Sequence, residues 1–269
     1  EKLPTFANDK RNKKCNIKIK MNLALLTSYF SKKIHPNDPK DNAVVGRNAD
    51  GRVSNNEINY IKPWYDSVNN LQLNGFVFHD NLSEEFVQQY TTNKIKFIKV
   101  GDSECSNLDY RWICYEKFLE ENFYDYVFLT DASDVTIVKD PLSLFLEFKE
   151  TDYFVCNDSI KLNQFPYLKF HQQFNLDNLM WFMINHDHLE LINMGVIGGN
   201  YENTKLFLSS YNTERKKIGN PAFGHADMFL GQYVFRNILS DKNIMIGNPV
   251  CSEFKKYQNE RKDVYFIHK

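Results

Sequence analysis

No run of apolar residues in this chain approaches the ~20 needed to cross a bilayer as a helix. No segment reads as a secretory leader either. There is no CxxC pair and no Cys/His spacing that would suit zinc. Neither GxGxxG nor GxxxxGK[ST] occurs, so a glycine-rich phosphate loop is excluded. We find no internal repeat, low-complexity block or interdomain linker. The charge is unbiased: 33 Lys and Arg against 34 Asp and Glu, net −1. A chain so balanced is not built for nucleic acid or an anionic membrane.

What remains is an ordinary globular composition. The chain has 269 residues, 42% hydrophobic and 25% charged, with 22 Phe and 15 Tyr. That length buries a core without disulfide staples. The five cysteines are odd in number, and free thiols in a reducing compartment are the expectation. A cytoplasmic protein is favoured. The chain starts with Glu rather than Met, so an excised lumenal or membrane-tethered catalytic domain stays open. Lys10, Arg11, Lys13, Lys14, Lys18 and Lys20 cluster near the start. They read as a solvated basic tail over 1–15, with a membrane-proximal stem as the alternative.

Beyond that tail, apolar strand patterns alternate with amphipathic helical ones. Strands are expected over 16–30, 75–79, 94–100 and 124–130, with helices over 57–71, 107–122 and from Ser83. This alternation predicts one α/β domain over 16–269 with a largely parallel sheet. Later come a helix over 141–149 and a strand over 152–156. A strand over 193–199, helices over 203–211 and 225–239, and a short strand over 264–268 complete the pattern. Residues 31–56 read as a long loop and 157–190 resist assignment.

The segment YVFLTDASDVTIVKDP, residues 126–141, is the most informative. A buried strand runs straight into Asp131 and Asp134. Open α/β sheets bind ligands at the carboxyl ends of their strands. Two carboxylates delivered there repel each other unless something offsets them, and a divalent cation does so. Mg²⁺ and Mn²⁺ favour oxygen ligands and keep open positions for phosphates. A plain Asp/Ser turn is the competing explanation.

Residues 129–140, LTDASDVTIVKD, resemble the Asp-x-Asp region of GT-A glycosyltransferases, and more narrowly a TDxxDV version in a group of nucleotide-diphospho-sugar transferases. Here the acids are three apart rather than two. The resemblance implies a GT-A-like, Rossmann-type domain. It implies Asp134 as a metal ligand, with Asp131 on the metal or the ribose. Such enzymes often carry an Arg on the helix before this strand, facing the nucleotide or diphosphate. Arg111 holds that place, unless it merely pairs with Glu116 or Asp109. The first strand ends at Thr27, Ser28 and Tyr29, where base and ribose would bind. Tyr29 either stacks on uracil or fills the core.

NMGVIGG, residues 193–199, is similar to the N-x-G-V strand of retaining GT-A enzymes. Asn193, Gly195, Gly198 and Gly199 would then lie against the donor sugar, or else the glycines form a turn. Asp227, after His225, would orient a hydroxyl or act as base, or simply charge a helix start. A late His is often a further metal ligand in these enzymes, and His268 fits that place. His186 and His188 form an HxH pair with no apparent third ligand.

The implied activity is sugar transfer from a nucleotide diphosphate, with UDP the expected carrier. Mn²⁺ or Mg²⁺ is the expected cofactor. The acceptor would be a hydroxyl on a glycan, protein or small molecule, with no nucleic acid partner. Retention is weakly favoured by the glycine strand. The alternatives are a non-catalytic carbohydrate-binding protein and a metal-dependent nucleotidyltransferase or phosphatase. A nucleotidyltransferase wants a glycine-rich basic loop after its first strand, and none follows here.

Overall fold

In a computed structural model, the described residues are 21–32, 53–165, 181–182, 185–219 and 226–269. The basic stretch 1–15, most of the 31–56 loop, His225 and most of the aromatic segment after Phe165 lie outside them.

The first strand, β1 (Leu23–Tyr29), is an interior strand, third in a seven-stranded sheet. Its side chains alternate between two apolar layers. Ala24 and Leu26 face one, while Leu23, Leu25 and Tyr29 face the other. This two-sided burial is why the strand reads as an unbroken apolar run. The chain then passes through α1 (Lys62–Asn70), β2 (Asn74–His79), α2 (Glu84–Tyr90), β3 (Ile95–Lys99) and α3 (Asn107–Glu121) to β4 (Tyr126–Thr130). Ser83 and Ser106 cap α2 and α3 through their hydroxyls. A short strand, β5 (Val135–Ile137), leads to α4 (Leu142–Glu147), β6 (Tyr153–Lys161) and β7 (Glu190–Asn200). The last elements are α5 (Tyr201–Lys217), α6 (Ala226–Tyr233), β8 (Ile244–Ile246) and β9 (Phe266–His268).

The strand order is β3-β2-β1-β4-β7-β6-β8. All neighbours pair in parallel except β7, which runs against both β4 and β6. The expected mixed α/β fold with a mostly parallel sheet is therefore present. One layer packs Trp112, Tyr115, Phe207, Tyr211 and Phe229 from α3, α5 and α6. The opposite layer packs Trp64, Phe86, Phe145 and Phe266 from α1, α2, α4 and β9. Beside the main sheet, β5 and β9 form a two-stranded antiparallel ribbon, with Val135 opposite His268.

Two expectations need correction. The strand over 152–156 extends to Lys161, because register shifts after Val155 and Asn157 break the pattern a sequence reading relies on. The thiols are not all free: Cys156 on β6 is joined to Cys251 by a disulfide, with Cα atoms 5.5 Å apart. The residues lie 95 apart in sequence, and no spacing rule links such a pair. No described helix is long and apolar enough to cross a membrane.

Candidate metal centre

Thr130, the last residue of β4, is held from two sides. The indole Nε1 of Trp64 donates to its hydroxyl at 2.8 Å, and the Thr27 hydroxyl donates to its carbonyl at 2.9 Å. The backbone N–H of Asp131 then continues the β4–β7 pairing by donating to the Gly195 carbonyl at 2.8 Å. Asp131 is thus fixed at the carboxyl edge of the sheet before its chain turns away into β5.

The ribbon of β5 and β9 brings in the second and third groups. Val135 pairs with His268, and the Lys269 amide donates to the Asp134 carbonyl at 3.0 Å. The His268 amide donates to the hydroxyl of Ser252 at 2.9 Å. As a result, one ligand atom each from Asp131, Asp134 and His268 lies within 4.8 Å of the others. His268 Nε2 is 3.8 Å from Asp131 and 3.6 Å from Asp134. These are ion-pair distances, too long for hydrogen bonds.

Burial differs across the cluster. The His268 side chain is 1% exposed, while those of Asp131 and Asp134 are 28% and 31% exposed. The centre is closed on the imidazole side and open on the carboxylate side. Neither ring nitrogen of His268 has a hydrogen-bond partner, nor does Asp134 Oδ1. Orphaned polar atoms in a folded interior call for an explanation. A hard divalent cation fits this donor set: two carboxylates and one imidazole, with room on the solvent side.

Without a cation the three groups offset one another's charge, and a cation would have to displace the imidazole proton. Burial alone would suppress the charged imidazolium, but Asp134 and Asp131 outweigh it and raise the His268 pKa. Burial likewise pushes Asp134 up, and His268 and Arg111 together bring it below its ordinary value. Each group is thus stabilised in the form that attracts the other.

Gly195 is where a side chain is least tolerable. A Cβ there would fall on His268 Cε1, 2.6 Å from Nε2 and 2.9 Å from Asp131 Oδ2. The other two glycines of the strand serve packing instead of a ligand. A Cβ on Gly198 would sit inside the Phe128 ring, and one on Gly199 would press against the Asp152 carbonyl at 3.2 Å. The Asn193 side chain accepts from the Gly195 amide at 2.8 Å.

Arg111 is placed differently from the expectation that it faces a diphosphate. It is buried on α3, with one guanidinium nitrogen on Asp131 and another 3.2 Å from Asp227. Its donor fork is spent on protein carboxylates. Asp227, near the start of α6, is buried and its Oδ1 has no hydrogen-bond partner. Burial raises its pKa to about 7, against the pull of Arg111. A second buried pair, Asp109 with Arg215 at 2.9 Å, lies on the same α3–α5 side.

At the end of β1 the base-stacking alternative is overturned. Tyr29 is fully buried, packed on Tyr60 and Phe86, and its hydroxyl donates to the Ser54 carbonyl at 2.5 Å. Thr27 is buried and spent on Thr130. Ser28 faces the opposite layer, beside Tyr115. In the HxH pair, His186 stacks on Phe182 and engages its carbonyl, and His188 lies beside Asp187. Among the described residues, neither joins a metal-capable cluster.

Ser252, Trp64 and the disulfide carry no sequence signal for this centre. Ser252 sits in a polar stretch, and Trp64 looks like any core aromatic. Comparison of the sequence with protein-family models and with curated proteins returns no match.

Proposed function

We propose that this chain is a metal-dependent glycosyltransferase that takes a nucleotide diphosphate sugar, with UDP the favoured carrier, and passes the sugar to an acceptor hydroxyl. The observation that carries the reading is the convergence of Asp131, Asp134 and His268 at the carboxyl edge of a mostly parallel sheet. Those positions are also the ones the GT-A resemblance marks for metal. Mn²⁺ or Mg²⁺ held there would act as a Lewis acid toward the leaving diphosphate.

The remaining roles fall to the chain. Asp131 and Asp134 are the partly exposed members of the cluster, so a phosphate would approach from their side. His268 supplies a nitrogen from the buried side and fixes the depth of the site. Arg111 ties Asp131 to Asp227 and so sets the distance between the ligand cluster and the second carboxyl. Asp227, with a pKa near neutrality, can hold or release a proton at a sugar or acceptor hydroxyl. The resemblance of the β7 strand favours retention, in which no strong general base is required.

The test is calorimetric titration of UDP with and without Mn²⁺, on the wild type and on Asp134→Ala. Metal-dependent binding that disappears in the variant supports the reading. Failure of UDP and GDP to bind under either condition would sink it.

A further inference from the structure

The disulfide lies closer to the metal-ligand cluster than its distance in sequence suggests. Cys156 stands on β6 opposite Asn193, whose side chain holds the amide of Gly195. Gly195 in turn packs directly against His268 and Asp131. Cys251 is bridged in parallel to Phe266, two residues before His268. The next residue, Ser252, accepts from the His268 amide at 2.9 Å. Cys156, Cys251, Ser252 and His268 are all at most 1% exposed.

β9 is flanked on both sides. β5 pairs with it on one side, and on the other the Phe266 amide donates to the Val250 carbonyl and the Ser252 amide to the Phe266 carbonyl, both at 2.9 Å. The covalent link at Cys251 ties that second flank to β6 of the main sheet.

We infer that the Cys156–Cys251 disulfide is a redox-sensitive clamp that holds the β9 strand, and with it His268, in ligating position. The inference rests on the metal reading for its consequence, though not for the clamp itself. Reduction by a dithiol transfers two electrons and two protons. The protein S–S bond breaks to give two thiols, and the reductant closes into its own disulfide. Both sulfurs are buried, so the reductant reaches them when the 249–268 segment opens. A cation held by His268 would disfavour that opening and so slow reduction. The coupling runs both ways: whatever factor oxidation adds to metal affinity, metal adds to persistence of the disulfide.

The experiment uses the full chain in three forms: isolated without reductant, reduced with a dithiol and desalted anaerobically, and Cys156→Ser/Cys251→Ser. Thiol counting on the unreduced, denatured chain should find three reactive thiols of the five. Hydrogen exchange should show the 264–268 amides faster in both unbridged forms, with far-UV circular dichroism retained. Mn²⁺ titration should show affinity about ten- to a hundredfold weaker, the scale expected for loss of groups that orient a ligand. Five reactive thiols in the unreduced chain, or equal exchange at 264–268 in all forms, would overturn the clamp. Faster exchange with unchanged Mn²⁺ affinity would overturn its hold on the ligand. If the oxidised wild type binds no Mn²⁺, the metal reading fails, and the exchange data still decide the clamp. Should the double variant misfold, the reduced wild type provides the same comparison.

Discussion

A methyl group separates two kinds of glycine on one strand. Gly195→Ala pushes against the buried His268 ring and the Asp131 carboxylate, so its cost falls on the ligand cluster and should appear in Mn²⁺ affinity, at least about tenfold. Gly198→Ala pushes into the Phe128 ring inside the core. Overpacking of that kind costs about 1–3 kcal/mol, so a lowered melting temperature is its expected signature. Titration and melting of both variants check the contrast. Asp227 offers a pH test. Burial lifts its folded pKa from 3.8 to about 7, so the folded chain binds a proton that the unfolded chain has released. Its contribution is full below pH ~4 and is lost as pH rises toward ~7. Asn mimics the neutral form. Asp227→Asn should therefore hold a smaller advantage over wild type near pH ~5 than near pH ~8, the gap widening until pH ~7. An unchanged difference between those two pH values would remove the assignment. Arg111→Met leaves two carboxylates without their shared cation, a loss of about 3–5 kcal/mol, read by denaturant unfolding.

At the level of elements, the site depends on a small ribbon against a large sheet. Phe266 on β9 is fully buried beside Phe128. Phe266→Ala should cost about 3–5 kcal/mol and should weaken Mn²⁺ binding as well, because the same strand carries His268. Chemical unfolding together with titration separates the two effects. Most of the sheet was legible in the sequence because its inner strands are buried on both faces, as in β1, β4 and β7, and amphipathic helices lie between the strands. The runs at 124–130 and 193–199 announce β4 and β7 for that reason. β8 was not legible: its three residues, Ile244–Ile246, are half-buried and too short for a period. The ligand triad was foreseen only through a likeness to known enzymes, since spacing says nothing about which late His meets Asp134. The register of β5 with β9 makes that meeting, and pairing between distant strands is a tertiary property. Of the two readings of Tyr29, the core one holds, while Arg111, expected from the resemblance to face a diphosphate, is held by Asp131 and Asp227. In both cases the interior claims the side chain for its own polar groups.

For the molecule as a whole, a bound cation adds stability by mass action. A ligand at a hundred times its Kd stabilises by about 2.7 kcal/mol, and each kcal/mol moves the melting point of a domain this large by about 2–4 °C. Mn²⁺ should therefore raise the wild-type melting temperature by about 5–10 °C and leave Asp134→Ala unmoved. Thermal scans over a Mn²⁺ series check it. There is a temporal side to the β5–β9 pairing. Asp131 and Asp134 leave the ribosome long before His268 does, with most of the second half of the chain still to be made. At ordinary translation speeds the wait is on the order of ten seconds. Throughout it the two carboxylates lack the imidazole that completes the centre. A nascent chain interrupted anywhere before β9 would carry the acidic turn yet capture the ion poorly. On the metal reading proposed above, acquisition of a cation would report that synthesis has passed this strand and that folding has closed over it.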